Sequence, residues 1–166
     1  MNKLIRLNEE KDLFQISDYK GRKKALEYLY KQLTNKGCND IKVIEPDEKY
    51  SHYDLLLTAT TKSNQTVCYC IECKDRPDLS STSFDSDMIE IKKYYNLLTR
   101  AELNDETPLY IMTFNDDTAI IHNLFNANKF KEKKYRKKTT VINTGYEDTY
   151  CYQLLKDDNT TTITLN

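Results

Sequence analysis

The stretch that decides the fold is Tyr53-Asp54-Leu55-Leu56-Leu57-Thr58-Ala59-Thr60, then Thr61-Lys62-Ser63-Asn64-Gln65, then Thr66-Val67-Cys68-Tyr69-Cys70-Ile71-Glu72-Cys73-Lys74. Two β-rich runs flank a short polar connection, which is a hairpin pattern. With the loop centred on Ser63, cross-strand partners are equidistant from it, and Asp54 faces Glu72. Opposed residues of an antiparallel pair have Cβ atoms about 4.5–5.5 Å apart. Positions i and i+2 share a face, so Lys74 projects on the same side as Glu72.

Two carboxylates and a lysine therefore converge among Leu55, Leu56, Leu57, Cys70 and Ile71. Like charges directly opposed are destabilising, and burial makes the repulsion worse. A divalent cation between them resolves the conflict. Hard oxygen donors suit Mg²⁺ or Mn²⁺, with the other positions left to water and a substrate phosphate. Lys74 would then stand beside the metal-bound water and orient it for attack on phosphorus. The competing reading is a salt-bridge cluster in which lysine neutralises one acid. An acid two before a lysine also occurs at Glu9/Lys11, Asp18/Lys20, Asp40/Lys42, Asp47/Lys49, Glu90/Lys92 and Glu132/Lys134, so only the hairpin context distinguishes Glu72-Cys73-Lys74.

Upstream, Leu26, Leu29, Tyr30 and Leu33 recur at helical spacing and predict a helix over 18–35, bracketed by Gly21 and Gly37. Ile41 to Ile44 is a short strand. Downstream, Asp75 to Asp87 reads as a polar loop whose last residues cap a second helix with the stripe Met88, Ile91, Tyr95 and Leu98. Leu109–Phe114 and Thr118–Leu124 are strands around Asn115-Asp116-Asp117. Thr149–Leu155 and Thr160–Leu165 form a C-terminal hairpin, about 149–165. This order predicts an α/β (α+β) architecture, a mixed central sheet flanked by helices, in one domain spanning 1–166.

The chain has 166 residues, three glycines and two histidines. No P-loop or dinucleotide fingerprint fits, because each needs clustered glycines. His52 and His122, far apart in sequence, disfavour a His-rich metal cage and Ser-His or Cys-His hydrolase chemistry. Any enzymatic chemistry must rest on carboxylates, lysines or thiols. No stretch is long and apolar enough to span a bilayer, Met1–Glu10 lacks a signal-peptide pattern, and the five cysteines are odd in number. A cytoplasmic location is expected, in a cellular or virus-encoded protein. Cys68, Cys70 and Cys73 read as small packing residues because alternation splits them between two faces.

Lys+Arg 25 against Asp+Glu 26 leaves a net charge of −1. Its distribution is uneven. Lys129-Phe130-Lys131-Glu132-Lys133-Lys134-Tyr135-Arg136-Lys137-Lys138 holds seven bases and one acid. Such a segment, 129–138, with Phe130 and Tyr135 interleaved, suits a phosphate backbone. Lys92, Lys93, Lys23 and Lys24 add to it, and nucleic acid is the expected partner. A solvated loop is the alternative.

This constellation resembles the PD-(D/E)XK nuclease superfamily, the restriction-endonuclease-like fold that includes Holliday-junction resolvases. Gly21 to Leu33 resembles its first helix, Tyr53-Asp54-Leu55-Leu56 its metal-binding strand, and Ile71-Glu72-Cys73-Lys74 its E-x-K strand. Met88 to Leu98 matches its next helix, so the likeness covers about 18–124. The resemblance implies an αβββαβ core with extra C-terminal strands. It implies Mg²⁺ (or Mn²⁺) on Asp54, Glu72 and the Cys73 carbonyl, with Lys74 catalytic and Glu27 on the active-site side of the helix. It further implies DNA phosphodiester hydrolysis, on branched or foreign DNA, and a homodimer. Asp47, in the literal Pro46-Asp47 pair, is the reserve ligand. The alternatives are an RNA nuclease and an inactive nuclease-fold protein that binds nucleic acid or serves in assembly.

Overall fold

A computed structural model describes residues 16–46, 53–138 and 146–164. Asp47, His52 and Gly145 lie outside the described residues. Helix α1 (Ile16–Asn35) turns Ala25, Leu26 and Leu33 onto the sheet. It ends at Gly37, whose φ of +77° is open to glycine and lets the Cys38 N–H reach the Leu33 carbonyl at 2.9 Å. Gly21 lies inside the helix instead of bracketing it. A Cβ there would overlap Thr113 Oγ1, so its role is close helix–sheet approach.

Strand β1 (Asn39–Ile44) leads to β2 (Leu55–Thr60) and β3 (Thr66–Arg76). Leu55 pairs with Ile71 and Thr60 with Thr66, the register that a loop centred on Ser63 predicts. Within the loop, Asn64 takes a positive φ of 59° and Thr61 N–H meets the Gln65 carbonyl at 2.8 Å.

Strand β4 (Ser86–Glu90) precedes helix α2 (Ile91–Asn104). The expected helix start at Met88 is corrected here: Met88 pairs with Gln153 in a sheet. The helix then buries Tyr94, Leu97 and Ala101, and Tyr95 of the predicted stripe turns outward. Asp87 does not cap this helix either. The N-cap is Glu90, with no side-chain cap bond.

Strands β5 (Thr107–Phe114) and β6 (Thr118–Asn123) follow as expected, joined through Asp117 at φ 51°. The basic segment is strand β7 (Lys129–Lys138), paired antiparallel with β8 (Tyr146–Leu155). Strand β9 (Thr160–Thr164) pairs with β6. The predicted C-terminal hairpin is therefore corrected: β8 and β9 belong to different sheets.

The main sheet has six strands in the order β1-β2-β3-β5-β6-β9, mixed because β3 and β5 run parallel across the α2 crossover. The smaller sheet has three, β4-β8-β7. Alternation splits the main sheet into two cores. Leu55, Leu57, Ile71, Cys73, Leu109 and Ile111 pack with α1, whereas Cys70, Tyr110, Met112 and Ile120 pack with α2 and Leu154 of β8. The fold is thus α/β, a central mixed sheet flanked by helices.

Candidate active site

Strand β2 begins one residue after Asp54, so Asp54 leaves the ladder just where β3 continues paired with β5 only. Its backbone N–H still donates to the Ile71 carbonyl at 2.8 Å. Its side chain turns toward the next free donor on β3: Asp54 Oδ2 accepts the Cys73 N–H at 2.8 Å. A strand residue's N–H and C=O point to the same neighbour, so the Cys73 carbonyl faces this edge as well. Asp54 Oδ1 receives Arg22 Nη2 of α1 at 2.8 Å. Arg22 lies one turn before Ala25 and Leu26, on the helix face that covers the sheet.

Glu72 is 4% exposed on the α2 side, and its Oε1 is ion-paired with Lys93 Nζ. Lys74 shares that side by alternation, is half-buried, and makes no ion pair among the described residues. The hairpin thus brings Asp54, Glu72, Cys73 and Lys74 to one strand end, but each carboxylate already holds its own cation from opposite helices. Arg22 neutralises Asp54 from the α1 side and Lys93 neutralises Glu72 from the α2 side.

Two carboxylates and a backbone carbonyl are hard oxygen donors, and Mg²⁺ is commonly held by one or two carboxylates plus water. The donor set fits that ion in kind. Among the described residues there is no group of three or more His, Cys, Asp or Glu side chains that could hold a metal. A cation entering here must compete with Arg22 and Lys93.

Glu27 is exposed on α1, and the α1 side chain that reaches Asp54 is Arg22. Lys92 is exposed at the start of α2. Lys93, expected on nucleic acid, sits on Glu72. Lys129 lies over three tyrosine rings, and Lys134 pairs with Asp148 at 2.8 Å. Lys131, Lys133, Arg136, Lys137 and Lys138 belong to β7, and their side chains lie outside the described residues.

The sequence reading missed a buried polar cluster. His122 Nε2 meets Asp87 Oδ2 at 2.8 Å, both groups nearly inaccessible, and Lys156 Nζ lies 3.4 Å from Asp87 Oδ1. Lys156 also donates to the Ser81 and Phe84 carbonyls. These contacts tie the small sheet to β6. Their only sequence signal is a histidine on an otherwise apolar strand. The five cysteines are free thiols, and burial, followed by the Glu106 charge, pushes the Cys70 thiol up to about 12.

The fold and site define a mixed α/β protein with a carboxylate–lysine cluster at the end of its central hairpin. No protein-family model and no curated protein sequence matches the chain. Among solved structures it is similar to Hjc, a Holliday junction resolvase from the archaeal hyperthermophile Archaeoglobus fulgidus, at 11% identity and a TM-score of 0.43. The match covers 75% of this chain and 84% of that one. No described helix is long and apolar enough to cross a membrane.

Proposed function

We propose that this chain is a divalent-metal-dependent nuclease that hydrolyses DNA phosphodiester bonds. The observation that carries the reading is the hydrogen bond from the Cys73 N–H to Asp54 Oδ2, which holds the carboxylate at the middle residue of Glu72-Cys73-Lys74. In this reading Asp54, Glu72 and the Cys73 carbonyl hold Mg²⁺ (or Mn²⁺). When bound, such an ion would supply Lewis-acid chemistry at the phosphate. Lys74 orients the attacking water, and its charge faces the phosphate. Arg22 and Lys93, released from the carboxylates, would be available to backbone phosphates. A homodimer would present two such sites to two strands.

The test is cleavage of linear, single-stranded and branched DNA with Mg²⁺ or Mn²⁺. Asp54→Asn, Glu72→Gln and Lys74→Ala are expected to abolish cleavage while folding is retained. Absence of metal-dependent cleavage by the wild type on all three substrates sinks the catalytic reading.

A second reading, a nucleic-acid-binding protein without catalysis, is favoured by Arg22 on Asp54 and Lys93 on Glu72, which neutralise both carboxylates without metal. Calorimetric titration with Mn²⁺ separates the two. The nuclease reading requires binding heat that depends on both carboxylates; the second requires none, and DNA binding that persists in EDTA.

A further inference from the structure

We propose that the small sheet and the adjoining face of α2 form a stacking platform for single-stranded nucleic acid. The inference rests on the nucleic-acid half of the reading above and not on its chemistry. Tyr94, Tyr95 and Tyr152 form a connected cluster in which Tyr94 is buried, Tyr152 partly buried and Tyr95 exposed. Tyr94 and Tyr152 meet edge to face at 5.2 Å, Tyr95 lies 5.5 Å from Tyr94, and the Tyr95 and Tyr152 hydroxyls are 2.9 Å apart. Tyr150 continues the cluster along β8, two residues from Tyr152. Tyr95 and Tyr150 are 48% and 54% exposed, unusually open for large aromatic side chains.

The basic strand β7 supplies positive charge here, and Lys129 and Lys134 are its described side chains. Strand β7 lies at the edge of the small sheet, with β8 as its neighbour. Lys129, its first residue, places its ammonium 4.5 Å from the Tyr94 ring centre and 4.6 Å from that of Tyr152, which fixes the start of the strand at the cluster. From there the backbone register pairs Lys134 with Tyr150, Arg136 with Asp148 and Lys138 with Tyr146. Lys134 is ion-paired with Asp148 at 2.8 Å, and Glu132 stands opposite Tyr152 in the backbone register. Lysines of a basic strand next to the exposed rings of Tyr95 and Tyr150 suit a ligand whose sugar–phosphate backbone is held by charge while its bases stack. A duplex hides its base faces and gains only from the charges. The platform also leads to the candidate site, because Lys93, on Glu72, immediately precedes Tyr94 and Tyr95.

The experiment is fluorescence anisotropy of the full chain in EDTA, with a fluorescein-labelled dT oligonucleotide and a duplex of equal length. The single strand is expected to bind at least about tenfold tighter than the duplex. Tyr95→Ala and Tyr150→Ala, at exposed positions, are each expected to weaken single-strand binding about tenfold, with the salt slope unchanged. Tyr150→Phe should retain binding. Lys134→Ala together with Arg136→Ala should lower the single-strand salt slope by about 1.4, consistent with two backbone contacts. Equal affinity for duplex and single strand, or unchanged affinity in both tyrosine-to-alanine variants, overturns the proposal. The binding assay needs no metal and the cleavage assay requires it, so a failed cleavage assay leaves the platform standing and a failed binding assay leaves the metal site to its own test.

Discussion

Glu72 of β3 and Lys93 of α2 are ion-paired across the packing of helix on sheet, the acid buried and the lysine half-exposed. The pair couples the candidate metal ligand to the helix that carries Tyr94 and Tyr95 of the tyrosine cluster. Removing Lys93 leaves a buried carboxylate without this cation. Because the lysine is half in solvent, Lys93→Met is expected to cost only about 1–2 kcal/mol. Mg²⁺ should raise the melting temperature of Lys93→Met more than that of wild type. An equal shift in both shows that Lys93 does not compete with a bound cation.

The buried cluster of Asp87, His122 and Lys156 gives a prediction about the joint between the sheets. Asp87→Ala strips an acceptor from His122 and the carboxylate from Lys156, and should lower stability by about 2–4 kcal/mol in urea. Hydrogen exchange should rise first in β4 and β8. An unchanged urea midpoint would mean that the cluster contributes nothing to holding the sheets together.

Gly21 tests the closeness of α1 to the sheet. In Gly21→Ala the new methyl overlaps Thr113 Oγ1 and approaches Asp75 Oδ1 at 3.2 Å, disturbing the 2.6 Å bond from Thr113 to Asp75. A loss of about 1–3 kcal/mol is expected. In Gly21→Ala with Thr113→Ala the two effects should be less than additive, since the clashing atom is gone. Strict additivity in thermal melts removes the steric explanation.

The Cys70 thiol carries a pH prediction. Its ordinary value of 9.0 is pushed up to about 12, chiefly by burial. Between these values the unfolded chain loses the proton and the folded chain keeps it, so the unfolded state binds fewer protons and stability falls as pH rises. Stability is expected to decline from about pH 9 upward, and more gently in Cys70→Ala. Identical pH slopes for the two proteins between pH 9 and 11 would contradict this origin. At pH 8 thiol reagents should spare Cys70 in the folded protein.

The central hairpin was legible because its information is local. The polar loop from Thr61 to Gln65 sets the turn, and period-two alternation places Leu55, Leu57 and Ile71 on one face and Cys70 and Glu72 on the other. Together these determine the register and bring Asp54 to the strand end beside Glu72-Cys73-Lys74. Helix α1 and strands β5 and β6 were legible for the same reason.

What tertiary structure alone decided depends on partners far away in sequence. Met88 to Glu90 reads locally as the first turn of a helix, yet it is a strand because Gln153 and Cys151 supply its ladder. The short Lys156–Asn159 connection looks like a hairpin turn. Lys156 is instead anchored to the Ser81 and Phe84 carbonyls, and the chain passes from one sheet to the other. Arg22 and Lys93 find Asp54 and Glu72 only because two helices cover opposite faces of the same strands. Sequence determines which residues share a strand face, since that follows from backbone period; which charges neutralise them is settled by how helices and sheets pack, where burial makes an unpaired carboxylate too costly to leave alone.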